Sequence, residues 1–185
     1  GKAQGFDRVE SASIFCGPDA PKTWVGVYDH VFLENIEQQI KSINEPTFHF
    51  IYTTSNHGPY KMEDSLLDYD PEKVMPDVGE DLRSNKTRYS DKAIFTFVEA
   101  MKKAFPDSLF IVTGDHSNLF GSLNNTSLIR RDYTLRDTFC TVALLQHPDL
   151  NQDMIVSSKG THMSLMPTII EAIAPKGFEY YSIAP

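Results

Sequence analysis

The stretch "LFIVTGDHSNLFG", Leu109 to Gly121, runs as an apolar strand into an adjacent carboxylate and imidazole, Asp115 and His116. The pair offers one hard oxygen and one borderline nitrogen, a donor mixture suited to zinc or manganese. Neighbours within a regular strand point to opposite faces, so the two can share an ion only where the strand breaks. Gly114 just ahead relaxes the backbone at that point. The plain alternative is an aspartate that caps the next segment beside an exposed histidine. Two ligands also leave a metal site short, since three or four normally come from protein. A second polar strand end is "TTSNHGPY". There His57 could bind an anionic ester oxygen or donate a proton to a leaving group. Its plain alternative is a loop histidine bonded to backbone.

The remaining chemistry-bearing residues say less. His162, in "GTHMSLMPT", opens a helix, where a histidine is often only solvated. His30, His49 and His147 read as structural, at a helix terminus, a strand interior and a strand end. Arg130 to Asp132, "IRRD", could attract an anionic substrate, or be a solvated loop. Thr113 and Ser117 flank the Asp-His pair, but a nucleophile needs an activating base or metal that the sequence does not identify. No Ser-His-Asp set, Walker loop or GxGxxG is visible. Cys16 and Cys140 are too few for a disulfide framework and match no zinc knuckle, so each reads as a small, partly buried hydrophobe.

The elements that must position these residues follow from periodicity. Asp29 can cap a helix that carries Val31, Phe32, Ile36 and Ile40 at helical spacing. Thr47 to Thr54 reads as a buried strand. Met62 to Lys86 is acidic and aperiodic, a long surface excursion. Tyr89 to Lys103 resumes helical spacing through Ile94, Phe97, Val98 and Met101. "SLFIVTG" and "FCTVALLQ" are further strands, separated by a polar loop, and Pro167 is placed near the first turn of a last helix. Strands that read as continuous apolar runs between helices predict an α/β sandwich with a largely parallel sheet. Ligands collect beyond the carboxyl ends of such strands. His57 and the Asp115-His116 pair are therefore expected at one edge of one sheet.

At 185 residues, 41% of them apolar, the chain fits one domain with ample core. A net charge of -8 argues against nucleic acid, which needs clustered cations. It leaves anionic substrates open, because a bound metal can reverse the local sign. No run of about 18 apolar residues is present, so nothing here spans a membrane as a helix. Residues 1–15 lack the apolar stretch of a signal peptide. Any membrane tether or export signal is expected outside this chain.

Placed in order, "WVGVYDHVFLENI", "FIYTTSNHGPY", "RYSDKAIFTFVEAMKK", "LFIVTGDHS" and "MPTIIEAIAP" give the chain its family look, from Trp24 to Ser182. The sequence resembles the sulfatase branch of the alkaline phosphatase superfamily, and within it the lipoteichoic acid synthase and phosphoglycerol transferase group. The resemblance implies that Asp115 and His116 bind the catalytic metal and that His57 contacts the phosphate or sulfate group of the substrate. Manganese or zinc is the implied ion, with calcium and magnesium as the other candidates. His162 receives no role, and the Asp common two positions later in the family is Ser164 here. "CGPDA" approaches Cys-x-Pro-x-Arg, the formylglycine signal of many sulfatases, but Ala20 stands where the Arg belongs.

In this family the nucleophile and an acidic metal ligand lie in the N-terminal half of the domain. The resemblance thus implies that residues 1–185 are the C-terminal part of an incomplete sulfatase-like domain, whose partner is the missing N-terminal half. The resemblance implies that the parent is a metal-dependent phosphoester or sulfate ester hydrolase or transferase, with phosphoglycerol transfer onto an envelope lipid or glycan as the reaction it most resembles. It would work outside the cytoplasm, membrane-tethered, while the 185 residues alone would be inactive. Two rivals remain open at this point: a non-catalytic sulfatase-like binding domain, and an unrelated doubly wound α/β domain in which Asp-His is only a loop.

Overall fold

The computed structural model describes residues 5–58, 82–117, 139–150 and 160–182. A short helix α1 (Ala12–Cys16) precedes α2 (Asp29–Lys41), α3 (Leu82–Ala104), strands β1 (Phe110–Thr113) and β2 (Ala143–Gln146), and a last helix α4 (His162–Ile173). The chain divides into two compact units, Gly1–Leu150 and Asn151–Pro185. The first holds everything up to β2, and the second holds α4.

In the first unit α1 and α3 both pack against α2. The apolar stripe of α2 supplies Phe32 and Leu33 to a core completed by Val27 and Ala93, with Phe15, Val31, Ile36, Ile51, Ile94 and Phe97 packed around it. Each large side chain buried there contributes about 1.5–3 kcal/mol. Helix α2 carries Asp29 in its first turn and Lys41 in its last, the order that the helix dipole favours. Asp29 does not cap, however. The residue before the helix is Tyr28, no side chain caps it, and the Asp29 carboxylate is used elsewhere.

Helix α3 begins at Leu82, so the last residues assigned from sequence to the surface excursion are helical. Its early inward positions are polar. Lys86 and Ser90 are buried at 1% and 5% exposure, which hides the helix from an apolar-period search. The rest of that excursion, and the loop that carries Arg130 to Asp132, lie outside the described residues.

Strands β1 and β2 pair antiparallel, with Phe110 opposite Gln146 and Thr113 opposite Ala143. The parallel character predicted for the sheet is not found in this pair, the one ladder among the described residues. Residues 47–54 were expected as a buried strand. They form no ladder among the described residues, and Phe48, Phe50 and Tyr52 are exposed. At the carboxyl end the Thr54 N–H donates instead to the Asp29 carboxylate.

In the second unit α4 starts at His162, so Pro167 falls inside the helix and not in its first turn. Proline removes one backbone donor there. Thr168 follows it and donates its hydroxyl back to Ser164 O at 2.8 Å.

Candidate functional site

The site is built on a buried carboxylate. Asp29 is fully buried, and its Oδ1 accepts the N–H groups of both Thr54 (3.1 Å) and Ser55 (3.0 Å). Ser90 donates to its Oδ2 at 3.3 Å, while the Asp29 N–H donates to Ser55 Oγ at 2.9 Å. A buried charge survives only when satisfied in this way. The effect is to bind the start of α2 and the face of α3 to the end of the extended run. Lys86 completes the arrangement by donating from Nζ to His57 O at 2.9 Å. Burial lowers the Lys86 pKa, and the charge of Asp29 works against that shift.

Gly26 lets the preceding hairpin come close enough. A Cβ there would stand 2.7 Å from Thr54 Oγ1, inside any normal contact. The hairpin closes through a bridge between Lys22 and Val27, with the N–H groups of Val25 and Gly26 donating to Thr23 Oγ1. Trp24 sits at its tip, 73% exposed. Its Nε1 donates to Gly58 O at 3.1 Å, and its ring meets His57 at 5.5 Å between centroids and 79° between planes.

His57 itself is exposed and follows a turn in which its N–H donates to Thr54 O at 3.2 Å. Its Nδ1 lies 2.7 Å from Gly58 O. A carbonyl only accepts, so Nδ1 donates, and Nε2 is left to meet a ligand.

Asp115 and His116 follow β1 directly, where the ladder has ended. His116 repeats the His57 pattern, with Nδ1 2.9 Å from Ser117 O. That bond fixes the tautomer and presents Nε2 as an acceptor, as a metal-bound imidazole requires. The His116 Nε2 and Asp115 Oδ2 atoms are 3.6 Å apart. Two ligands about 2.1 Å from one tetrahedral ion stand about 3.4 Å apart, so the pair fits a shared divalent ion. Ser117 Oγ, the next side chain, is buried with no hydrogen-bond partner among the described residues. No group of three His, Cys, Asp or Glu that could hold a metal ion converges among those residues.

Asp115 is held by two donors, Tyr52 OH to Oδ2 at 3.0 Å and the His116 N–H to Oδ1 at 2.9 Å. Burial pushes the Asp115 pKa up, but the Tyr52 bond and the His116 N–H outweigh it and hold it below the ordinary carboxylate range. The same bond raises the Tyr52 hydroxyl, with burial and the Asp115 charge acting in the same sense. Tyr52 therefore links the extended run that leads to His57 with the pair that follows β1.

Gly114 serves the site in another way than predicted. Its φ is not positive; a Cβ there would stand 2.5 Å from Thr141 Oγ1, so it admits close packing. The sequence reading missed Tyr52, Asp29, Ser55 and Lys86, whose partners lie 25 to 63 residues away. Thr113 donates its hydroxyl to Val142 O at 2.9 Å. Cys16 lies 3.9 Å from Val31 O with its pKa raised by burial, an inert thiol. His30 is tied to Tyr89 OH, and His147 Nε2 reaches Asp107 O at 3.3 Å, both structural as predicted.

Known proteins share this arrangement of sequence. A lipoteichoic acid synthase-like protein from Bacillus subtilis is 28% identical over 60% of this chain and 18% of its own length. Lipoteichoic acid synthase 1 of the same organism is 25% identical over 62% of this chain and 18% of its own. The chain thus spans about a fifth of the length of these relatives. Among solved structures, a protein in the alkaline phosphatase superfamily from Vibrio parahaemolyticus is 26% identical with a TM-score of 0.56, over 80% of this chain and 34% of that one. The α/β fold is that of the alkaline phosphatase superfamily. The family model described as Sulfatase matches residues 1–174. This removes the unrelated doubly wound domain as a reading: the chain belongs to the sulfatase family.

Proposed function

We propose that this chain is part of a metal-dependent hydrolase or transferase of phosphate esters, with Asp115 and His116 as metal ligands and His57 as the contact to the phosphoryl oxygens. The observation that carries it is the 3.6 Å separation of His116 Nε2 and Asp115 Oδ2, with His116 Nδ1 tied back to Ser117 O. Divalent metals are in general use across this superfamily. The mixed oxygen and nitrogen donors suit manganese or zinc, with calcium and magnesium as the remaining candidates. When bound, the ion neutralises charge on the transferred group and activates a hydroxyl nucleophile.

The residues of this chain do the rest of the positioning. Asp115 is kept ionised by Tyr52 and the His116 N–H, ready as a ligand at neutral pH. In its imidazolium form His57 would donate from Nε2 to an anionic oxygen, while its backbone is held by Lys86 and the turn to Thr54. The nucleophile and an acidic ligand come, on this reading, from sequence N-terminal to Gly1. Phosphate is favoured over sulfate because the named relatives are lipoteichoic acid synthases, which also supports an envelope lipid or glycan as substrate. The enzyme would then work outside the cytoplasm, tethered by sequence beyond these residues. No helix among the described residues is long and apolar enough to cross a membrane.

The test is His57→Ala and Asp115→Asn in the full-length enzyme. His57→Ala should keep its melting temperature and metal content. Losing a charge-assisted hydrogen bond to the transferred group should slow turnover roughly thirtyfold to a thousandfold. Asp115→Asn should lose metal, and the 185-residue chain alone should turn nothing over. A fully active His57→Ala enzyme, or an Asp115→Asn enzyme with full metal content, overturns the assignment. Metal and phosphate-ester binding without turnover by the full-length protein would mark a non-catalytic binding domain.

A further inference from the structure

Tyr52 lies on the extended run that leads to His57 and is 58% exposed. Such a tyrosine gains little from burial and has water for its hydroxyl. This one instead donates across 63 residues of sequence to Asp115 Oδ2 at 3.0 Å. Its footing is firm. Ile51 beside it packs against the core, and just beyond it the N–H groups of Thr54 and Ser55 are held by the Asp29 carboxylate. A tyrosine side chain turns about few bonds before a rigid ring, so a fixed backbone leaves its hydroxyl few places to be. At the other end the Asp115 carboxylate takes a donor on each oxygen, the His116 N–H on Oδ1 at 2.9 Å and the Tyr52 hydroxyl on Oδ2. Oδ2 is also the oxygen that stands 3.6 Å from His116 Nε2.

We infer that Tyr52 is a positioning residue for Asp115: its hydroxyl fixes the turn of the carboxylate so that Oδ2 faces the space shared with His116 Nε2. The inference rests on the metal reading of Asp115 and His116. It concerns orientation and not charge, because an exposed carboxylate is ionised at neutral pH without a partner. The last torsion of an aspartate is soft and two-fold, so an untethered carboxylate offers either oxygen in turn. One donor on each oxygen removes that freedom. Each carboxylate oxygen offers about two acceptor directions. Tyr52 takes one of them on Oδ2 and leaves the other for an ion, so that Asp115 binds through a single oxygen. Outer hydrogen bonds of this kind orient ligands and hold a site to its working geometry. The donor comes from the run that leads to His57, so the same bond sets the metal pair against the proposed phosphate contact.

The experiment strips metal from the full-length protein and titrates it by calorimetry with manganese chloride and, separately, zinc chloride. At about pH 7.5 the carboxylate is ionised with or without its tyrosine, so the titration reads orientation. Wild type is compared with Tyr52→Phe, which removes only the hydroxyl, and with Asp115→Asn. Tyr52→Phe should bind the ion about tenfold to a hundredfold more weakly than wild type. The melting temperature of the metal-free protein should not change, since the lost bond joins two exposed side chains. Wild-type affinity in Tyr52→Phe, beside a clear loss in Asp115→Asn, overturns the inference and leaves the metal reading intact. Weaker binding by a Tyr52→Phe protein whose metal-free melting temperature has also fallen marks a structural support only, and overturns it too. A wild type that binds neither ion, or an Asp115→Asn variant that binds as wild type does, sinks the metal reading and this inference with it.

Discussion

Tyr52 and Asp115 move each other's protonation in opposite senses through one hydrogen bond of 3.0 Å. Both lean toward the states that keep the bond, a neutral phenol and an ionised carboxylate. The depressed Asp115 pKa means its stabilising effect is present at neutral pH and is lost as pH falls through its folded value. With both Asp115 and His116 side chains 55% exposed, solvent screens that effect heavily. Tyr89 is the stronger case. It is 6% exposed, receives the His30 N–H at 3.1 Å, and has its pKa pushed up to about 12, first by burial and then against that His30 bond. A raised tyrosine pKa adds stability that is complete below the unfolded value, near 10, and is lost as pH rises through the folded one. Lys86, with its lowered pKa, acts in the opposite sense, and its effect is complete once pH has risen to its unfolded value of about 10.4. Comparing wild type with Tyr89→Phe by urea melts at two alkaline pH values isolates the tyrosine. Between about pH 9 and 11 the wild type should lose about 1 kcal/mol more than the variant. Equal alkaline losses in the two proteins would rule the effect out. His57, Asp115 and His116 were readable as candidates because their types and their places after apolar runs are local facts. Tyr52 was not, because an exposed tyrosine in an extended run announces no partner 63 residues away.

Helices α2 and α3 and the Trp24 hairpin converge on Thr54 and Ser55, and Asp29 is the point of convergence. Asp29→Ala should cost about 3–5 kcal/mol in chemical denaturation, since it orphans buried donors and leaves Lys86 without its counter-charge. Asp29→Asn keeps one acceptor oxygen and should cost less. A loss under about 1 kcal/mol for the alanine variant would show that the two backbone N–H groups find other partners. The periodicity that located α2 from sequence also located the later part of α3, because Ile94, Phe97 and Met101 are apolar and face inward. It failed at the start of α3, where the inward residues Lys86 and Ser90 are polar. It also misplaced α4, since the eye stops at Pro167 while the helix already runs through it. Residues 47–54 read as a buried strand from their apolar run, although Phe50 is 70% exposed. The pattern shows which side chains would suit a sheet and says nothing of whether a neighbouring strand is present.

Across the molecule, class and family were legible because apolar runs, helical stretches and ordered landmarks accumulate over the whole length. Strand direction was not, since nothing local in "FCTVALLQ" distinguishes a strand that runs with β1 from one that runs against it. The chain has a single tryptophan, and it is Trp24, already in water in the folded state. Its emission therefore reports the corner beside His57 and not the core of Phe32 and Leu33. Acrylamide should quench the native protein almost as efficiently as the unfolded one. On heating, far-ultraviolet circular dichroism should show the loss of α2 and α3 as a cooperative step, while the wavelength of tryptophan emission barely moves. A large red shift coincident with the helix transition would mean that the indole is shielded in the native state. If the two signals do separate, fluorescence becomes a silent channel for stability and a selective one for whatever settles against the hairpin tip.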